Sequence, residues 1–100
     1  MTAVKLAPIH PGEILREEFL SPLNLSAYAV AHAIGVPRTR IERLVSEKVD
    51  LSPDTALRLA RFFETSAEFW MNLQSRYALE KAAEALSDTL GKIEPLKRAS

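Results

Sequence analysis

The chain reads as an all-α protein, a compact domain of five helices with a long one at its C-terminal end. Three observations carry that reading. Apolar residues recur at helical spacing and alternating strand patterns are lacking; helix-opening residues precede the apolar stretches; and glycines are few, at Gly12, Gly35 and Gly91. A chain of 100 residues builds a single core and a single domain, residues 1–100, with little margin.

The elements follow in order. In "HPGEILREEFL" Pro11 suits a first helical turn, and Glu13, Glu17 and Glu18 lie toward the positive end of the helix dipole. Ile14, Leu15 and Phe19 form the apolar stripe of helix one, and Pro22 is expected to end it. Helix two is "SAYAVAHAIG", with Ser26 as N-cap and Gly35 supplying the left-handed residue after its last turn. Helix three begins at or near Pro37, because the residue before a proline is pushed out of helical geometry. Its buried side is Ile41, Leu44 and Val45. Helix four, "LSPDTALRLARFFE", takes Ser52 as cap and Pro53 as first residue, with Asp54 near the dipole. Leu57, Ala60 and Phe63 repeat along it at three-residue steps. Helix five starts at Thr65, which matches a capping box with Glu68, or at Ser66; it is expected to reach Leu90, where Gly91 stops it. Residues 91–100 read as a loosely ordered tail.

Composition narrows the function classes. With 47% hydrophobic and 26% charged residues, the chain is neither disordered nor of low complexity. The absence of cysteine excludes a disulfide frame and a thiolate metal site. No apolar run approaches the roughly 20 residues that span a bilayer. The segment "MTAVKLAPIHPGEIL" lacks the apolar block of a signal peptide, so a cytoplasmic protein is expected. A net charge of zero argues against indiscriminate polyanion binding, yet the charge is unevenly spread. Residues 37–48 hold Arg38, Arg40, Arg43 and Lys48 against Glu42 and Glu47; residues 64–90 hold Arg76 and Lys81 against Glu64, Glu68, Glu80, Glu84 and Asp88. Two surfaces of opposite sign follow.

Residues 26–46 carry the strongest signal. Two helices that meet steeply across a tight turn need a small residue at their close approach, a glycine at the turn and apolar side chains that lock them together. Ala31, Gly35 and the set Val30, Ile34, Val36, Ile41 and Leu44 meet those demands. Turning Ile41, Leu44 and Val45 inward leaves Arg38, Thr39, Glu42 and Arg43 facing outward, with Arg40 on the flank. A helix laid in the DNA major groove reads base edges with residues near its N-terminus. Arginine there donates two hydrogen bonds to guanine and threonine meets a thymine methyl, while cations such as Lys48 hold phosphate. The candidate DNA-binding residues are therefore Arg38, Thr39, Arg40, Glu42, Arg43 and Lys48, joined by Ser26 and Tyr28 at the start of helix two. For Tyr28 a phosphate contact and a packing role stand equal.

This window resembles the helix-turn-helix of the Cro/CI-type (XRE) repressors. "HPGEILREEFL" and "PDTALRLARFFETSAEFWMNLQSRYAL" extend the likeness to the HigA/VapI group of antitoxins from bacterial toxin–antitoxin modules, over most of residues 10–80. The resemblance implies a Cro/CI repressor-like fold and a homodimer that binds double-stranded operator DNA, represses its own operon and binds a RelE/HigB-like ribonuclease toxin. Two features depart from the family pattern. Ala27 stands where many members carry glutamine, and Pro37 and Glu42 stand where small hydroxyl residues are common, so the resemblance carries no operator sequence with it. A stand-alone regulator without a toxin shares the same DNA surface. An adaptor that reads no DNA is the other alternative, and Glu42 in the middle of that surface gives it weight.

On helix five, Phe69, Trp70, Leu73 and Tyr77 are expected to pack mainly as core against helix four. Leu79, Ala83, Leu86 and Leu90 outlast the length needed to cover a five-helix core, and surplus apolar surface marks a partner site. These residues are the expected dimer or toxin interface, on a helix of about residues 66–90, and the start of helix five with the loop before it is the rival surface. His10 and His32 have no partner at ligand spacing, so no metal is expected. Glu13 and Glu17 read as solvated acids with no nucleophile beside them, and no glycine-rich phosphate loop is present. No enzymatic activity and no cofactor are expected.

Overall fold

The computed structural model describes residues 7–97, and among them every regular element is helical. The first, α1, runs over residues 11–23 in three joined parts: an α-helical turn Pro11–Ile14, a π-helical stretch Leu15–Leu20 and a closing turn Ser21–Leu23. It is followed by α2 (Ala27–Ile34), α3 (Arg38–Val45), α4 (Pro53–Phe63), α5 (Ala67–Ala85) and α6 (Ser87–Gly91). No helix among the described residues is long and apolar enough to cross a membrane.

Helix starts follow local chemistry. Each of the helices α1 to α5 must satisfy amide groups left without a partner in its first turn. Ser26, Ser52 and Ser66 accept from the backbone N–H three residues on, at 3.0, 3.2 and 3.0 Å. At α3 the cap position is Pro37, without a side-chain bond. At α1 the cap is His10, whose Nδ1 accepts from the Gly12 N–H at 2.9 Å. Of the two candidates at α5, Ser66 is the cap, because Thr65 Oγ1 accepts the buried Trp70 indole N–H at 2.8 Å.

Helix ends depart further from expectation. Gly35 is left-handed as its position requires, with φ 75°, but Asn24, Glu47 and Glu64 also lie at φ 54°, 61° and 56°. In each case the next residue's N–H reaches back five residues, as in Lys48 to Arg43 and Thr65 to Ala60. Pro22 does not end helix one. Ser21 N–H bonds the Arg16 carbonyl five residues back, so the ladder has left α register before the proline ring. That step relieves the usual collision with the carbonyl four residues earlier. Helix five is long but stops at Ala85 instead of Leu90, with Leu86 at φ −99°, ψ 6°. Residues 81–97 are all exposed, so no packing holds that helix straight, and Ser87 and Asp88 favour a fresh start. Gly91 is the last residue of α6, which ends there with Lys92 as its cap and without the left-handed conformation of Gly35. Beyond it no helix forms through residue 97; residues 1–6, the start of "MTAVKLAPIHPGEIL", and residues 98–100, the end of the expected loose tail, lie outside the described residues.

Leu15, Val30, Ile41, Leu59 and Trp70 are fully buried. Trp70 sits against Phe19 (ring centroids 4.9 Å apart) and Phe69 (5.0 Å), and Phe19 against Phe63 (4.8 Å). On α4 the inward face is Ala56, Leu59 and Ala60; Leu57, expected on the buried stripe, is 62% exposed. Gln74 Oε1 accepts the Leu51 N–H at 2.7 Å, tying the α3–α4 connection to α5. The second half of α5, with α6, projects from this globule. The molecule measures 56 × 33 × 23 Å, with a radius of gyration of 17.4 Å against about 13 Å for a compact chain of this length.

The first helix meets the backbone of α3 directly. A Cβ on Gly12 would stand 1.7 Å from the Leu44 carbonyl oxygen and 2.7 Å from its carbon. Backbone cannot yield as a flexible side chain does, so Gly12→Ala must push α1 away from α3. We expect it to destabilise the fold by about 1–3 kcal/mol or more, read as a lowered urea midpoint.

Candidate nucleic-acid interface

The α2–turn–α3 unit is fixed from inside first. Ile41 and Leu44 of α3 are buried with Val30, Ala31 and Ile34 of α2 in one core. In the turn, Val36 N–H bonds the Ala31 carbonyl at 3.0 Å around the left-handed Gly35. With alternate faces of α3 so committed, Arg38, Thr39, Arg40, Glu42 and Arg43 are all exposed, as the helical spacing requires.

Polar clamps then hold the C-terminal end of α3 and the turn that leads into it. At its C-terminal end Arg16 of α1 donates to the Val45 carbonyl and pairs with Glu47 at 3.3 Å. At the turn, Arg58 of α4 donates to the Ile34 carbonyl at 2.8 Å and the Gly35 carbonyl at 3.4 Å. Arg58 is itself held by Asp54 at 2.8 Å, and the same Asp54 oxygen accepts from Arg40 at 2.8 Å. The hydrogen bond from Arg58, aided by Arg40, holds the Asp54 carboxyl below the usual carboxylate range. Asp54, Arg58 and Arg16 were not among the sequence candidates. The four-residue spacing of Asp54 and Arg58 on one helix was a visible signal; the reach of Arg58 to another helix was not.

The predicted residues fall into adjoining groups. Thr39, Glu42, Arg43 and Lys48 line one shallow cleft of about 210 Å³ with Ser46. Tyr28 and Arg38 line a second, of about 200 Å³, with Ala31, His32 and Val36. Tyr28 is 56% exposed and its ring runs parallel to that of His32, 6.3 Å away. Glu42 does not stand alone on this surface, since Arg38 pairs with it at 3.4 Å. Arg40 is taken by Asp54, whereas no ion pair among the described residues involves Arg43 or Lys48. Ser26 Oγ is engaged as acceptor by the Ala29 N–H, which leaves its hydroxyl free to donate. Of the interface candidates on α5 and α6, Leu79, Ala83, Leu86 and Leu90 are all exposed. The acids Glu84 and Asp88 are exposed beside them.

Comparison with known proteins agrees with this geometry. The family model described as helix-turn-helix matches residues 15–70. Virulence-associated protein I of Dichelobacter nodosus is 47% identical over 92 residues, covering 92% of this chain and 84% of that protein. The Pseudomonas aeruginosa antitoxin HigA, solved with the higBA promoter, superposes with a TM-score of 0.87 at 48% identity, covering 90% of this chain and 99% of that one. A second P. aeruginosa structure, solved with 18-base-pair operator DNA, gives a TM-score of 0.87 at 47% identity over 92% of this chain and 100% of the other.

The depressed Asp54 titration has a definite sign. Its contribution to stability is fully present above the ordinary aspartate pKa of about 3.9 and is lost as pH falls through the lower value it has in the folded chain. Thermal denaturation from about pH 6 to about pH 3 should show a steeper acid loss in the native chain than in Asp54→Asn. Parallel profiles would mean that the Arg58–Asp54–Arg40 chain holds nothing in solution.

Proposed function

The chain belongs to the XRE-type helix-turn-helix family, in its HigA/VapI group, and from that membership we propose that it is the antitoxin of a type II toxin–antitoxin module. It acts in the cytoplasm as a sequence-specific repressor of its own operon and neutralises a RelE/HigB-like ribonuclease toxin. The observation that supports the DNA half most directly is the outward surface of α3. Packing fixes the helix about its own axis, so Arg38 and Thr39 of its first turn and Arg43 of its last project together. Lys48 and the hydroxyl groups of Ser26 and Tyr28 supply phosphate contacts around that core. Glu42, compensated by Arg38, positions its neighbour and does not repel the duplex.

A homodimer completes the reading, since a two-fold pair places its two α3 helices about 34 Å apart on successive major grooves. Leu79, Ala83, Leu86 and Leu90, on the arm that leaves the globule, form the surface for a second copy or for the toxin. Apolar surface displayed this far from the core has no structural role within the monomer. The acids Glu80, Glu84 and Asp88 along the same arm suit a basic ribonuclease. None of these assignments includes a catalytic group or a cofactor.

Arg43→Ala is expected to weaken binding to the chain's own promoter by about 1–3 kcal/mol while leaving the circular dichroism spectrum unchanged; equal gel-shift affinity rejects the assigned surface. For the toxin half, co-expression with the neighbouring reading frame should yield a co-purifying complex and restore growth. Operator binding without complex or rescue leaves a stand-alone regulator.

A further inference from the structure

The cations of α3 are not equally available to DNA. Arg38 is balanced within its own helix by Glu42, and Arg43 and Lys48 make no ion pair among the described residues. Arg40 is the one whose partner comes from another element, since Asp54 on the first turn of α4 accepts from it. A single Asp54 oxygen receives Arg40 Nη1 and Arg58 Nε, both at 2.8 Å. Arg58 has a second anchor in the Ile34 and Gly35 carbonyls. Arg40 has no such second anchor among the described residues. It lies one turn before Arg43 on the same helix, on the flank of the DNA-facing surface.

A phosphate oxygen is the same kind of acceptor for a guanidinium as a carboxylate oxygen. DNA arriving at α3 therefore competes with Asp54 for Arg40. Binding without sequence preference comes almost wholly from phosphate contacts, so a cation withheld from phosphate lowers that background most. We propose that Asp54 is a specificity-determining residue: by holding Arg40 it suppresses sequence-independent DNA binding and leaves selection to Thr39 and Arg43. The inference rests on the DNA-binding reading above and adds to it a residue outside the helix-turn-helix.

The test compares the native chain with Asp54→Asn, Asp54→Ser, Arg40→Ala and the double variant Asp54→Asn/Arg40→Ala. Fluorescence anisotropy would follow binding to a random duplex and to the chain's own promoter across a salt series, each variant first checked for folding by circular dichroism. Asp54→Asn should bind the random duplex several-fold more tightly, with a slope of log K against log salt steeper by about 0.9, one additional phosphate. The ratio of promoter to random affinity should fall, and the gain should be absent from the double variant. Asp54→Ser, which keeps a helix-opening residue at that position, gives the same readout if the asparagine variant is unstable. No gain in a folded Asp54 variant overturns the proposal. A gain of equal size in the double variant also overturns it, because removal of an acid near DNA then suffices. A native chain that binds neither duplex overturns the DNA reading itself, and this inference with it.

Discussion

Everything that makes this surface usable depends on the burial of two side chains, Ile41 and Leu44. An eight-residue helix such as α3 has almost no stability in water alone, since nucleation costs more than so few hydrogen bonds return. Burying each of these residues is worth about 1.5–3 kcal/mol, and the contacts they make with Val30, Ala31 and Ile34 also fix how far the helix is turned about its axis. That rotation alone decides that Thr39, Glu42 and Arg43 point outward. The Leu44 position is constrained twice, because its carbonyl lies against Gly12, where no side chain fits.

Apolar packing sets rotation but does little to stop a short helix from sliding or fraying. Here guanidinium groups from the scaffold hold its C-terminal end and the turn before it, Arg16 at the Val45 carbonyl and Arg58 at the carbonyls of Ile34 and Gly35. Each reaches carbonyls that a helix end or turn leaves without intrahelical partners. The arginines around α3 thus divide into two kinds, those that brace it from behind and those that it presents. Arg40, held by Asp54 yet sited on the flank of the surface, stands between them.

The elements legible in the sequence were those governed by neighbours in the chain. Ser26, Ser52 and Gly35 each announce a helix start or stop through a bond made within a few residues, Pro53 does so through its fixed φ, and each is found in that role. Glu47 and Glu64 end helices just as Gly35 does, but a left-handed glutamate is locally unfavourable by about 1–2 kcal/mol and gives no compositional sign. Only the packing of the following loop onto the core makes it worthwhile. Leu57 misled for the opposite reason: three-residue spacing admits two neighbouring faces of α4, and the choice of Ala56 and Leu59 as the inner one was made by α2 and α5.

The sequence by itself determined the helical class, the turn at Gly35 and the set of side chains displayed by α3, because helical periodicity and turn chemistry act over a handful of residues. Only the tertiary structure decided which of those displayed cations is already engaged. Arg40 and Asp54 are fourteen positions apart, and Arg16 and Glu47 thirty-one. Such pairs exist only once the helices have packed, and Coulomb attraction between exposed groups is too weak to be inferred without the distance that packing sets.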